Sequence, residues 1–264
     1  MIRNSFIFLP KIDRKTEESI WKQGITTWTD FISASRIKGV SQKRKFVYDR
    51  ILKKAVKALL NSDSTFFLGL PSSENWRLYE MFKDEACYLD IEASGTRNNS
   101  FVTVIGIYDG FETKIMVKDV NLDFKQLKKE LEKYKLIITF NGSSFDIPFL
   151  KKRFPELLPE IPNFDLKTAC LRIGLEGGLK IIEKQLGIKR SGLVERLYGG
   201  DILLLWKMFR GSRDPYYLDL LIEYNEYDVI NLKLIAERVV SELKKQHLKL
   251  LNHNHACHKH LTRS

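Results

Sequence analysis

The sequence predicts an α/β protein: a mixed five-stranded sheet flanked by helices, preceded by a small helical N-terminal region. Three observations carry this. Residues 86–119 hold three β-rich runs, ACYLDIEAS, SFVTVIGIYDG and FETKIMVKD, separated by turn-forming residues. They are followed by an amphipathic run, FKQLKKELEKY, and an apolar one, KLIITF. Such a strand–helix–strand step usually makes a parallel pair. From about residue 147 to 243 the pattern is mostly helical, with one more short strand expected at Asn163–Asp165.

In chain order, residues 16–23 read as a short helix stopped by Gly24, and Thr27 can cap a second helix through Ile32. A longer helix is expected over 42–60, with Phe46, Ile51, Ala55 and Leu59 among its apolar positions. This region gathers Arg36, Lys38, Lys43, Arg44, Lys45, Arg50, Lys53, Lys54 and Lys57 against Asp49. Such a cluster is either a solvated helix face or a phosphate-binding patch, for which Lys43, Arg44 and Lys45 are the candidates. In the strand region Asn98-Asn99 and Asp109-Gly110 supply tight turns for an antiparallel meander. The expected division is a helical region over 1–82, the α/β domain over 83–243, and a basic, histidine-rich tail over 244–264.

Bulk properties narrow the function. The 44 basic and 33 acidic residues leave a net charge of +11, which favours a polyanionic partner such as nucleic acid. Three scattered cysteines argue for a reducing compartment and against a disulfide scaffold. No apolar run reaches transmembrane length, so the expectation is a cytoplasmic protein without membrane contact. All five histidines lie at or beyond residue 247, which leaves no plausible Ser-His-Asp arrangement. His253, His255, Cys257, His258 and His260 are zinc-ligand types, but the paired spacing of a zinc finger is missing. Gly177-Gly178 lacks a Walker pattern and reads better as a helix start.

Three elements carry chemistry. Asp90 and Glu92 sit two apart in the first strand, so both point to one face. Like charges there are costly to desolvate, and a divalent cation would offset that cost; the bland alternative is a wet strand end. Asp146 follows the buried strand in FNGSSFDIPFL and either faces the same site or simply starts a helix, where the dipole favours an acid. Tyr224 and Asp228 are four apart on a late helix and share a face. That suits a phenol beside a metal-bound aspartate, or a packed tyrosine beside a surface aspartate. Asp165 is a further acidic residue near a strand end.

The order of these motifs resembles the DEDD exonuclease superfamily in its tyrosine variant, DEDDy. The stretch ITFNGSSFDIPFLKKRF is similar to the second exonuclease motif of family-B polymerase proofreading domains and to stand-alone YprB-type ribonuclease-H-like exonucleases. FLPKIDRKTEESIWKQGITTWTDFI is similar to the leader of the stand-alone proteins, and the main resemblance covers residues 86–242. It implies a ribonuclease-H-like fold. It also implies two divalent ions, Mg2+ or Mn2+, held by Asp90, Glu92, Asp146 and Asp228, with Tyr224 orienting a water and Asn141 contacting nucleic acid. The implied activity is 3′–5′ exonucleolytic release of 5′-mononucleotides from a single-stranded 3′ end of DNA or RNA. Direction comes from the resemblance, because nothing in the residue chemistry fixes it. Ala93-Ser94 departs from the family, where a threonine commonly follows the glutamate. The rival readings are a non-catalytic nucleic-acid-binding module and a structure-selective endonuclease on the same fold.

Overall fold

The computed structural model of the chain describes residues 1–95, 100–190, 192–197 and 199–261, without the side chains of 199, 200 and 252–261. The expected Asn98-Asn99 turn and the His/Cys side chains of 253–260 lie outside the described residues.

The N-terminal region is helical, as its capping signals predict. Helix α1 spans Arg14–Trp21, with the Asp13 carboxylate accepting from Thr16 N–H, so the helix starts two residues before the expected position. Helix α2, Trp28–Ser33, opens with a complete capping box between Thr27 and Asp30. Helix α3 runs Gln42–Leu60, the expected bounds. Its buried stripe is Tyr48, Leu52, Ala55, Ala58 and Leu59, whereas Phe46 is 66% exposed. The register of the apolar face therefore differs from the expectation by about one helical step. A 3-10 segment over Ser72–Leu78 and the one-turn helix α4, Tyr79–Phe82, lead into the sheet.

The sheet has the order β3-β2-β1-β4-β5, formed by β1 Ala86–Ala93, β2 Val102–Tyr108, β3 Thr113–Val117, β4 Leu136–Thr139 and β5 Asn163–Asp165. The first three strands pair antiparallel, and β4 and β5 join in parallel, giving the expected mixed sheet. The Asp109 carboxylate accepts from the backbones of Phe111 and Glu112, which tightens the β2–β3 turn. Helix α5, Phe124–Leu131, crosses from β3 to β4.

Alternation along β1 separates two layers. Cys87, Leu89 and Ile91 pack with Leu127, Leu131 and Leu150, from α5 and from α6 at Asp146–Arg153. Ala86 and Tyr88 face the opposite core, which also contains residues of α1 to α3 and of the last helix. Asp90 and Glu92 continue that second face. Beyond β5 come α7 at Leu166–Arg172, α8 at Leu179–Gln185, α9 at Gly199–Ser212 and α10 at Pro215–Leu261. Gly178 is the N-cap of α8, the helix-start role read from the sequence. The N-terminal helices share one apolar core with β1, β4 and α10, and α10 continues across residue 244 without a break. Among the described residues no helix is long and apolar enough to cross a membrane.

Candidate functional site

Parallel pairing of β1 with β4 brings the C-terminal ends of both strands together, with Tyr88 opposite Ile138. Asp90 and Glu92 stand just past that point on β1, and α6 begins after the loop that leaves β4. A register shift between Glu92 and Ala93 marks a bulge, a device often found beside functional sites.

Helix α10 is drawn against this face by Gly106, which pairs with Asp90 across the β1–β2 ladder. A Cβ on Gly106 would lie 2.1 Å from Asn225 Oδ1 and 2.9 Å from a Val229 methyl. Only glycine admits so close an approach of helix and sheet. The Asn225 amide then donates to Asp90 Oδ2 at 2.8 Å. One turn of helix separates Tyr224 from Asp228, and both are buried at the same face.

The outcome is a carboxylate cluster. One oxygen each from Asp90, Glu92 and Asp228 lies within 4.8 Å of the others. Asp146 is also buried, and its Oδ1 accepts from the Ile91 N–H, between the two β1 acids, at 3.1 Å. It is therefore turned towards β1, where the sequence reading had it aimed outward. All four groups hold their protons well above the ordinary carboxylate range. Burial is the main cause for each. Asp90 is pushed up further by Asp228, Asp146 and Glu92, and Glu92, at about 8, by Asp228 and Asp146. Asp146 rises to about 7, against hydrogen bonds that favour its charge, and Asp228 to about 6, restrained by Arg190. The Tyr224 phenol is likewise raised by burial and then by Asp228, Glu92 and Asp90, so it stays protonated.

Arg190, which the sequence does not single out, is the cation of this cluster. It is buried, with Nε and Nη2 on the Glu183 carboxylate at 2.8 and 2.6 Å and Nη2 also on Asp228 Oδ1 at 2.5 Å. Asn231 donates to the same Glu183 at 2.9 Å. Arg190 and Lys180 lie 5.2 and 5.1 Å from the centre of the Tyr224 ring, and the Lys180 ammonium also meets the carbonyls of Val194 and Leu197. Since Glu183 already matches the Arg190 charge, the four carboxyl groups carry a net negative demand. Close, hard oxygen donors of this kind fit a divalent cation such as Mg2+ or Mn2+.

Two sequence candidates have other roles. Asp165 accepts from the backbones of Asn141, Ser143 and Lys167 at 2.9–3.0 Å, so its oxygens hold the loop after β4 and cap α7. Asn141 is half-buried in that loop with φ at +63°. Lys45 corrects the basic-patch expectation: it is 6% exposed, paired with Asp49 at 2.7 Å and bonded to the Ile32 carbonyl. A lysine so enclosed cannot reach a phosphate, whereas Lys43 and Arg44 are exposed.

A family model described as the RNase H superfamily (RNase_H_2) matches residues 87–240, more than half of the chain. The chain belongs to this superfamily. This RNase H superfamily member has the corresponding mixed sheet, with the acidic cluster where β1 meets α10. No curated protein matches it. Among solved structures it is similar to the family B DNA polymerase of the hyperthermophilic archaeon Pyrobaculum calidifontis, at 16% identity and a TM-score of 0.47. That match covers 59% of this chain and only 24% of the polymerase chain. It is also similar to the apo form of a nuclease, at 19% identity and a TM-score of 0.44, over 70% of this chain and 82% of that one.

Proposed function

We propose that this chain is a metal-dependent 3′–5′ exonuclease that hydrolyses phosphodiester bonds at a single-stranded 3′ end and releases 5′-mononucleotides. The observation that carries the reading is the convergence of Asp90, Glu92 and Asp228, from a strand and a distant helix, within 4.8 Å. Bound divalent ions would supply a hydroxide near neutral pH and stabilise the leaving oxygen. Asp90, Glu92 and Asp228 hold the first ion in this proposal, while Asp146, beside Asp90, helps hold the second. Arg190 engages Oδ1 of Asp228 and leaves its other oxygen for the cation. Tyr224, kept protonated, donates to the attacking water and orients it. Asn141 and the exposed pair Lys43 and Arg44 contact the nucleic-acid strand. The direction of attack rests on the ordered DEDDy motifs. The buried thiols of Cys87 and Cys170 suit the reducing cytoplasm in which we place the protein.

The test uses purified protein, matched DNA and RNA strands labelled at the 3′ or the 5′ end, and magnesium or manganese. Immediate release of labelled mononucleotide from the 3′ label, and a ladder shortening from the 5′ label, is the expected result. Internal fragments from both labels would replace this reading with an endonuclease. Binding without cleavage in either metal would replace it with a non-catalytic module.

A further inference from the structure

Away from the carboxylate cluster, α1, the 3-10 segment over Ser72–Leu78, α7 and the C-terminal part of α10 meet around a cavity of about 40 Å³. Its lining includes Arg14, Arg77, Arg172, Trp21, Trp76 and His247. The charges are unevenly matched. Arg77 is buried, with Nε on Glu74 at 2.6 Å and Nη2 on Glu17 at 2.9 Å. Arg172 shares Glu74 at 3.0 Å. Glu17 is committed further, accepting from the backbones of Phe6 and Ile7. Two buried carboxylates therefore serve three arginines, and Arg14 has only the loose, exposed contact to Glu18 at 3.7 Å.

Two polar atoms beside these cations have no partner. Trp76 is 2% exposed, and its indole Nε1–H, a donor with no acceptor capacity, makes no hydrogen bond. His247 is 4% exposed and its Nε2 is also unpaired, with the ring edge-on to Trp21 at 4.9 Å and to Trp76 at 6.1 Å. A buried donor left unpaired costs about 1–3 kcal/mol, so its persistence asks for an acceptor. An acceptor that is itself anionic satisfies the indole and the excess guanidinium charge together. Burial, then Arg77, the N-terminal amine, Arg14 and Arg172, push His247 down to about 3. The same positive potential that strips its proton attracts a negative ligand, and the cavity has room for one tetrahedral oxyanion.

We propose that this cavity is a binding site for a phosphate-class oxyanion, held by Arg14, Arg172, the Trp76 indole N–H and His247 Nε2. The site is independent of the exonuclease reading and sits on the opposite end of α10 from Asp228. Bound there, the anion would tie the N-terminal helix α1 to the α/β body by bridging Arg14 to Trp76 and His247.

The indole N–H signals of the full-length protein provide the test. The chain has four tryptophans, and the Trp76 signal is identified by its loss in Trp76→Phe, which keeps the ring packing. Titration with inorganic phosphate at constant ionic strength should move the Trp76 signal saturably. Arg14→Gln, at a largely exposed side chain, should weaken the apparent affinity roughly tenfold, and Asp90→Asn should not change it. A nucleoside 5′-monophosphate and a 5′-phosphorylated oligonucleotide form the second and third arms. A response to phosphate alone assigns a free anion, and a response to all three assigns a terminal phosphate group. A Trp76 signal that stays still, or moves equally with chloride, overturns the proposal, as does an unchanged affinity in Arg14→Gln.

Discussion

Arg190 and Asp228 form a buried ion pair, Nη2 to Oδ1, at the centre of the carboxylate cluster. The pair is anchored from behind by Glu183, so the guanidinium is held in place before any substrate arrives. Arg190→Met would leave Asp228 and Glu183 enclosed without their counter-ion. Breaking a buried pair from one side costs about 3 kcal/mol or more. Metal-free chemical denaturation should report a loss of that order, and saturating Mg2+ or Mn2+ should recover part of it. A variant as stable as the parent would mean that the pair contributes nothing.

Asp90→Asn should act in the opposite sense on stability. It removes one of four crowded acids while keeping the shape that accepts the Asn225 amide. The metal-free protein should melt higher at pH 8.5, by about 2–4 °C for each kcal/mol relieved, with a smaller gain at pH 5. Cleavage should fall on the order of a thousandfold, matching the loss of several kcal/mol of metal-ion stabilisation, while oligonucleotide binding persists. Retained cleavage would remove Asp90 from the site.

The raised carboxyl groups set a pH dependence with a definite sign. Their folded values, about 6 for Asp228, 7 for Asp146 and 8 for Glu92, exceed the ordinary values near 4. The folded chain therefore binds more protons than the unfolded chain between about pH 4 and 8, and metal-free stability falls as pH rises through that window. A divalent cation binds the deprotonated acids, so its affinity should climb over the same interval. Isothermal titration with Mn2+ at pH 5.5, 7 and 8.5 measures this; a flat affinity contradicts it.

Tyr224→Phe tests the phenol apart from the fold. The ring packs in the apolar cluster with Leu221 and Trp206, and phenylalanine keeps those contacts. Turnover should drop by about a hundredfold, the low end for a positioned proton-bearing group, with Mn2+ affinity unchanged. Because the phenol is raised, the parent's activity should show no loss from Tyr224 ionisation up to pH 9. An unchanged turnover in the variant would make the tyrosine a packing residue.

On α3, replacing exposed Lys43 and Arg44 by glutamine should flatten the salt dependence of oligonucleotide binding, each lost phosphate contact lowering the log–log slope by roughly 0.7–0.9. Lys45→Met should leave the slope alone, since that ammonium is spent on Asp49. Fluorescence anisotropy across a salt series distinguishes the two outcomes.

Local chemistry made much of this legible. The period-two spacing of Asp90 and Glu92, the four-residue step from Tyr224 to Asp228, and the caps of α2 and α3 are all written within short windows. The structure agrees on each. Other features depend on tertiary neighbours and carry no local mark. Nothing around Arg190 announces that its loop will fold between Glu183 and Asp228. Asn225 reads as one more polar helix residue until α10 is laid on Gly106. Lys45 was assigned with its exposed neighbours because charge alone does not tell which helical phase faces inward, and Asp165 looked like a ligand until its backbone partners were visible.

Helix α10 carries Asp228 near one end and His247 near the other as one continuous element. An inserted residue between them would swing one end by about 100° relative to the other, so the two cannot be retuned separately. Length variation among sister sequences should thus be tolerated in the β2–β3 hairpin and forbidden in this rod.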